Sequence, residues 1–236
     1  MYMRLKWKWL SGSGLKILAV VSMLVDHLAA FVWKGDPFMM THLLKIGHRW
    51  ITPYFIARSF GRIAFPIFAF LIVEGFLHTR SRIKYGRNLV IFALISEIPW
   101  CLLHYGGPQL RGHNVFFTLL LGFLALCAIE SFKEDKPKMA AALIGMLVFS
   151  VLFQADYGCM GYAFIPMLYL LRGNIVFQAI VGCGMLPSRW IGGSAFIPIS
   201  MYNGKRGFIK GAVGKYFFYA FYPLHLLAIY LFKTFI

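Results

Sequence analysis

The chain has 236 residues, 60% of them hydrophobic and 18% aromatic, and only 14% charged. A soluble domain of this length has no use for so much apolar surface, which excludes a water-soluble enzyme or binding module. The net charge of +16 lies mostly in short loops between apolar runs, where Lys and Arg set topology and meet anionic headgroups, so the lipid bilayer and not nucleic acid is the expected partner.

In chain order, apolar segments are expected over roughly 15–33, 61–79, 88–105, 114–132, 139–154, 161–171, 174–187, 189–201 and 216–233. They predict an all-α polytopic transmembrane helical bundle of about nine segments, a single integral-membrane domain over 1–236. The segments between 161 and 201 are short and rich in Gly and Pro, as broken or re-entrant helices are. The stretch 34–60, with "DPFMM", has room for a short interfacial helix. The first run follows Arg4, Lys6, Lys8 and Lys16 as a secretory signal would. Its length, its Asp26 and His27, and its end in Phe31, Val32 and Trp33 predict a retained helix instead.

If the N-terminus is cytoplasmic and the segments alternate, only Lys34, Lys45, Arg49, Arg58, Arg62, Arg111, Arg189 and Lys233 fall outside. Two-thirds of the 24 Lys and Arg then lie inside, which predicts N-in, C-out. Cys101, Cys127, Cys159 and Cys183 lack metal-ligand spacing and read as small core residues; no metal is expected.

Ionisable groups inside the membrane are costly and mark candidate sites. Here they are Asp26, His27, Glu74, Glu97 and His225, with Asp156 at an outer helix end. His27 lies about 18 Å along its helix from Leu15, beyond the midplane towards the outside. Lys16, Val20, Met23 and His27 are spaced 4, 3 and 4, one stripe joining a cation to an imidazole about 16 Å away. Asp26 points about 100° from His27, so an arginine on the next helix, Arg58 or Arg62, is its expected partner. The pair reads either as polar glue between helices or as part of a site. "HTRSRIKYGR" carries Arg80, Arg82, Lys84 and Arg87, suited either to topology or to a nucleotide phosphate.

"SGSGLKILAVVSMLVDHLAAF", "GRIAFPIFAFLIVEGFLHTRSRIKYGRNLVIFALISEIPW", "HNVFFTLLLG", "ADYGCMGYAFIP" and "KYFFYAFYPLHLLAIYL" together resemble the TraX family of bacterial membrane proteins. Through that family the chain is similar to acyltransferase-3 and heparan-glucosaminide N-acetyltransferase enzymes. The resemblance implies an acetyl-CoA-dependent O- or N-acetyltransferase of the bacterial inner membrane, with a membrane histidine as general base. Its acceptor would be a pilin or peptide N-terminus or a sugar. Many acyltransferase-3 members place an arginine, ten residues and then that histidine in the first helix. Here a lysine, Lys16, stands ten residues before His27.

The roles that follow give His27 the proton transfer and give Lys16, Arg80, Arg82, Lys84 and Arg87 the donor's phosphates. Arg58, Arg62 or Asn114 would stabilise the oxyanion. Glu74 and Glu97 would hold polar partners or line the channel, and Asp156 and Tyr157 of "ADYG" would meet the acceptor. His225 of "YPLH" reads either as lining the same cavity or as a satisfied structural histidine. A small-molecule or lipid transporter is the rival class, since broken helices with midplane charges suit alternating access.

Overall fold

A computed structural model describes residues 7–109, 112–186, 188 and 190–235. Of the cations above, Arg4, Lys6, Arg111 and Arg189 lie outside the described residues.

Helix α1, Gly12–Phe31, starts where the Ser11 hydroxyl accepts a hydrogen bond from the Gly14 amide, a side-chain cap for an otherwise unpaired donor. Turns lead from it to an exposed hairpin of β1, Leu44–Ile46, and β2, Arg49–Ile51. Thr52 then caps α2, Pro53–Gly61, whose Pro53 suits the first helical turn. Only a short break separates α2 from α3, Ala64–His78. The stretch expected to hold an interfacial helix thus holds a helix and a small hairpin, the one sheet among the described residues.

Ser81 caps α4, Arg82–Tyr105, which closes on left-handed Gly106. Asn114 caps α5, Val115–Ser131, and Asp135 caps α6, Lys136–Leu152. Next come α7, Gly158–Leu170, and α8, Ile175–Met185. The segment expected at 189–201 is two short helices, α9, Trp190–Gly193, and α10, Phe196–Ser200, broken between Gly193 and Phe196. The last helix, α11, spans Gly211–Phe235.

Gly12–Phe31, Pro53–His78 and Arg82–Tyr105 are long and apolar enough to cross a membrane, and Val115–Ser131, Gly158–Leu170, Ile175–Met185 and Trp190–Ser200 are shorter apolar spans. The outward face is apolar as well: Val90, Ile91, Leu94, Ile95 and Ile98 of α4 are all exposed. A helix apolar on both faces belongs in lipid, and the fold is a membrane helical bundle.

Connectors gather at two ends. At the basic end, Leu10 bridges Tyr202, and the Gly12 and Ser13 amides donate to the Lys205 and Arg206 carbonyls at 2.8 and 2.9 Å. At the far end, His113 donates to Gln154 O at 3.1 Å and Asp156 to His113 O at 2.9 Å. Helix α5 lies at the centre, against α3, α4, α6 and α7, while α11 packs on α4 and α1.

Lipid tails are as apolar as Leu, so these helices hold together by close packing over small residues. A Cβ on Gly122 of α5 would overlap the Ile165 side chain of α7, so that side chain lies directly on the α5 backbone. Gly122→Val should therefore destabilise the bundle by about 1–3 kcal/mol, lowering its melting temperature in detergent; an unchanged melting curve would contradict this packing.

Candidate functional site

The far half of α1 carries two ionisable neighbours that turn to different helices. Asp26 faces α2, where Arg58 Nη1 lies 2.7 Å from its Oδ2 and also donates to its backbone carbonyl at 3.1 Å. This is the arginine pairing that helical geometry predicts. The approach is tight: a Cβ on Gly61 would overlap the Asp26 side chain, and the Ser22 hydroxyl donates to Phe60 O at 2.7 Å. The second carboxylate oxygen, Asp26 Oδ1, is buried without a hydrogen-bond partner.

His27 faces α11. Its Nδ1 lies 2.6 Å from His225 Nε2, and the two rings stack at 4.9 Å. His225 Nδ1 in turn donates to the Phe221 carbonyl at 2.8 Å. Tyr222 and Phe31 flank the His27 ring at 6.2 and 6.3 Å. Tyr222 is itself buried, with no hydrogen-bond partner for its hydroxyl. His104 of α4 packs edge-on to Phe31 at 4.8 Å, with its Nδ1 donating to Trp100 O at 3.0 Å.

A second polar group closes the far end. Glu97 of α4 accepts from His113 Nδ1 and from the Asn114 side chain at 2.6 Å. Asn114 also donates to Ala93 O at 2.8 Å and accepts from the Phe116 amide at 3.0 Å. Its amide thus serves the α5 cap, with both N–H bonds and the carbonyl committed, and offers no free donor to an oxyanion.

Asp156 and Tyr157 sit in the connector before α7. There Tyr157 adopts φ +63°, a left-handed conformation that costs a non-glycine residue about 1–2 kcal/mol; its ring stacks on Phe65 at 3.9 Å. Asp156 accepts from the Tyr157 amide at 3.0 Å. Burial pushes its carboxyl up to about 6, against the weaker pull of that amide and of Arg62. Arg62, at the end of α2, lies within electrostatic reach of Asp26, Asp156 and Tyr157.

The structure therefore brings Asp26, His27, Arg58, Arg62, Asp156 and Tyr157 to one end of the bundle, with Glu97 and Asn114 close by. It takes Glu74 away. Glu74 lies near the other end of α3, where Tyr202 is its neighbour and His78 Nδ1 stands 3.8 Å off. Tyr202 is the residue that bridges Leu10 at the basic end, roughly 20 Å along α1 from His27.

The proposed phosphate ligands fall into two groups. Lys16 lies against α11, its Nζ 5.9 Å over the Phe218 ring, with Arg206 as its cationic neighbour. The stripe from Lys16 to His27 thus runs along α11, from Phe218 to His225. Arg82 and Arg87 instead line a groove of about 340 Å³ between α4 and α5, floored by Leu120, Phe123 and Cys127. Arg82 also stacks over Phe76 at 4.2 Å, and Arg80 and Lys84 point to solvent.

The helical period could not show His104, His113, Arg206 and Tyr222, which come from four separate stretches. Only "YPLH" signals one of them, because positions 222 and 225 share a helix face.

The family model described as "TraX protein" matches residues 11–233. The chain is also similar to a protein named "Probable fimbrial assembly protein FimC, serogroup H1" from Dichelobacter nodosus, with 26% identity covering 92% of this chain and 93% of that one. No solved structure matches the chain.

Asp26 and Arg58 are 20% and 24% exposed, a part-buried pair. Asp26→Asn leaves the guanidinium without its counter-charge and should cost roughly 1–3 kcal/mol, between the values for exposed and buried pairs. Its melting temperature should fall by several degrees, with partial recovery in the swapped Asp26→Arg, Arg58→Asp protein. Equal melting of Asp26→Asn and wild type would show that the pair does not hold α1 to α2.

Proposed function

The chain belongs to the TraX family, and on that premise we propose that it is a membrane-embedded acetyltransferase. It moves an acetyl group from cytoplasmic acetyl-CoA to an amine or hydroxyl acceptor at or across the bacterial inner membrane, with its N-terminus in the cytoplasm. The observation that carries this reading is the His27–His225 pair, two imidazoles hydrogen-bonded inside a membrane bundle. Beside them the buried Tyr222 Oη has no protein partner, and neither has Asp26 Oδ1, which lies on the α2 side of α1 against Gly61. Bilayer interiors tolerate such groups where they serve a substrate path. The similarity to a protein named for fimbrial assembly favours a pilin or peptide acceptor over a sugar.

In this reaction the acceptor's lone pair attacks the thioester carbonyl, and His27 takes the proton that the acceptor gives up. The new N–C or O–C bond forms, the C–S bond breaks, and CoA leaves as a thiol with that proton. A histidine suits the task because its ordinary pKa lies near neutral pH. The Tyr222 hydroxyl and the guanidinium of Arg62 are the donors for the developing oxyanion, since Asn114 is spent on Glu97 and Ala93. The donor enters from the basic end along the seam of α1 and α11. Its phosphates rest on Lys16 and Arg206, while Arg82 and Arg87 extend the cationic surface. Asp156 and Tyr157, at the far end, face the arriving acceptor.

The test uses purified full-length protein with acetyl-CoA and a peptide bearing a free N-terminus. His27→Ala should bind acetyl-CoA normally and lose about 10²- to 10⁴-fold in turnover, the usual share of a general base. Normal turnover by a folded His27→Ala protein would defeat the assignment. Lys16→Gln with Arg206→Gln should weaken acetyl-CoA binding roughly tenfold or more, as loss of charged hydrogen bonds does. A transporter of unrelated solutes would show no melting shift with acetyl-CoA at all.

A further inference from the structure

The hydrogen-bond chain through His225 has a direction. A carbonyl oxygen can only accept, so the Nδ1 that stands 2.8 Å from Phe221 O carries a proton. In a neutral imidazole the other nitrogen is then bare, so His225 Nε2 is an acceptor. His27 Nδ1, 2.6 Å away, must be the donor to it. That leaves His27 Nε2 without a proton, carrying the ring's free lone pair.

Other elements packed around His27 do not compete for its Nδ1. Arg58 of α2 is bound to Asp26, and His104 of α4 has its Nδ1 committed to Trp100 O. Among the described residues His225 is the one hydrogen-bond partner of His27.

We propose that His225 is a positioning residue that locks His27 in the Nδ1-protonated tautomer, making His27 Nε2 the proton acceptor of the reaction. The proposal rests on His27 being the base. When Nε2 takes the acceptor's proton, the imidazolium still donates from Nδ1 to the His225 lone pair, so its new charge meets a fixed acceptor without any group having to move. A carboxylate does this work in hydrolase triads; here a second imidazole anchored on a backbone carbonyl does it.

The experiment compares wild type, His225→Leu, His225→Gln and His27→Ala as full-length proteins in detergent. Each is scored for acetyl-CoA affinity, melting temperature and turnover with a free-N-terminus peptide. In parallel, ¹⁵N-histidine NMR assigns the His27 tautomer, which needs no substrate. Wild type should show His27 protonated at Nδ1. His225→Leu should shift His27 towards the Nε2-protonated form and lower kcat about 10²- to 10⁴-fold, the scale of a wrong tautomer, with acetyl-CoA affinity unchanged. His225→Gln, whose amide oxygen can accept from Nδ1–H, should recover at least tenfold over His225→Leu.

A wild-type His27 protonated at Nε2 overturns the proposal, as does wild-type kcat in His225→Leu, or a Gln variant no better than Leu. If His225→Leu fails to fold, the wild-type tautomer still decides. Full turnover in His27→Ala would instead defeat the acetyltransferase base assignment, leaving the tautomer result to stand alone. The two failures are thus separable.

Discussion

A charged side chain inside a bilayer needs a partner, because hydrocarbon offers none. In α1 that constraint falls on Asp26, and Arg58 meets it. The rest of the site depends on this pairing. With Asp26 held towards α2, the helix rotation is set, and His27, one residue on, must look about 100° away. The face it reaches is α11, where His225 waits. Gly61 and Ser22 serve the same contact, one by its missing Cβ and the other by its hydroxyl bond to the α2 backbone.

Polar groups elsewhere in the bundle follow the same rule with different partners. Glu97 gathers His113 and Asn114 at the start of α5, and in doing so converts a candidate oxyanion donor into a helix cap. Glu74 lies beside Tyr202 and His78 at the basic end. Glu130 accepts from the Tyr169 hydroxyl. Among the described residues the exceptions to this accounting are Asp26 Oδ1, Ser96 Oγ and Tyr222 Oη, of which Tyr222 borders the histidine pair. The bundle thus satisfies its buried polar atoms almost everywhere and leaves the Tyr222 hydroxyl unpaired beside two imidazoles.

The seam between α1 and α11 connects that place to the basic end. It starts where the loop after α10 is tied to the first turn of α1 through the Lys205 and Arg206 carbonyls. Those bonds use up the helix's leading amides, so side chains, not the helix terminus, supply the positive charge there. Lys16 and Arg206 come together only because this loop closes on α1. The groove beside Arg82 and Arg87 belongs to a different pair of helices, α4 and α5, and the loop that looked like one cationic cluster divides its residues between that groove and solvent.

What the sequence by itself determined is what helical period and hydropathy control: the membrane bundle, the approximate spans, the divergence of Asp26 from His27, and the stripe from Lys16 to His27. Its expectation of an arginine for Asp26 also held, because α2 is the next helix in the chain, packs back on α1 and carries its cations at a four-residue spacing. Only the tertiary structure decided that the stripe faces α11 and that His225, 198 residues away in sequence, closes on His27. It also decided that Asn114 is consumed as a cap and that Glu74 sits at the opposite end. Periodicity is a property of one helix at a time. Which helix fills the facing position depends on how the whole set packs, and no local spacing encodes that.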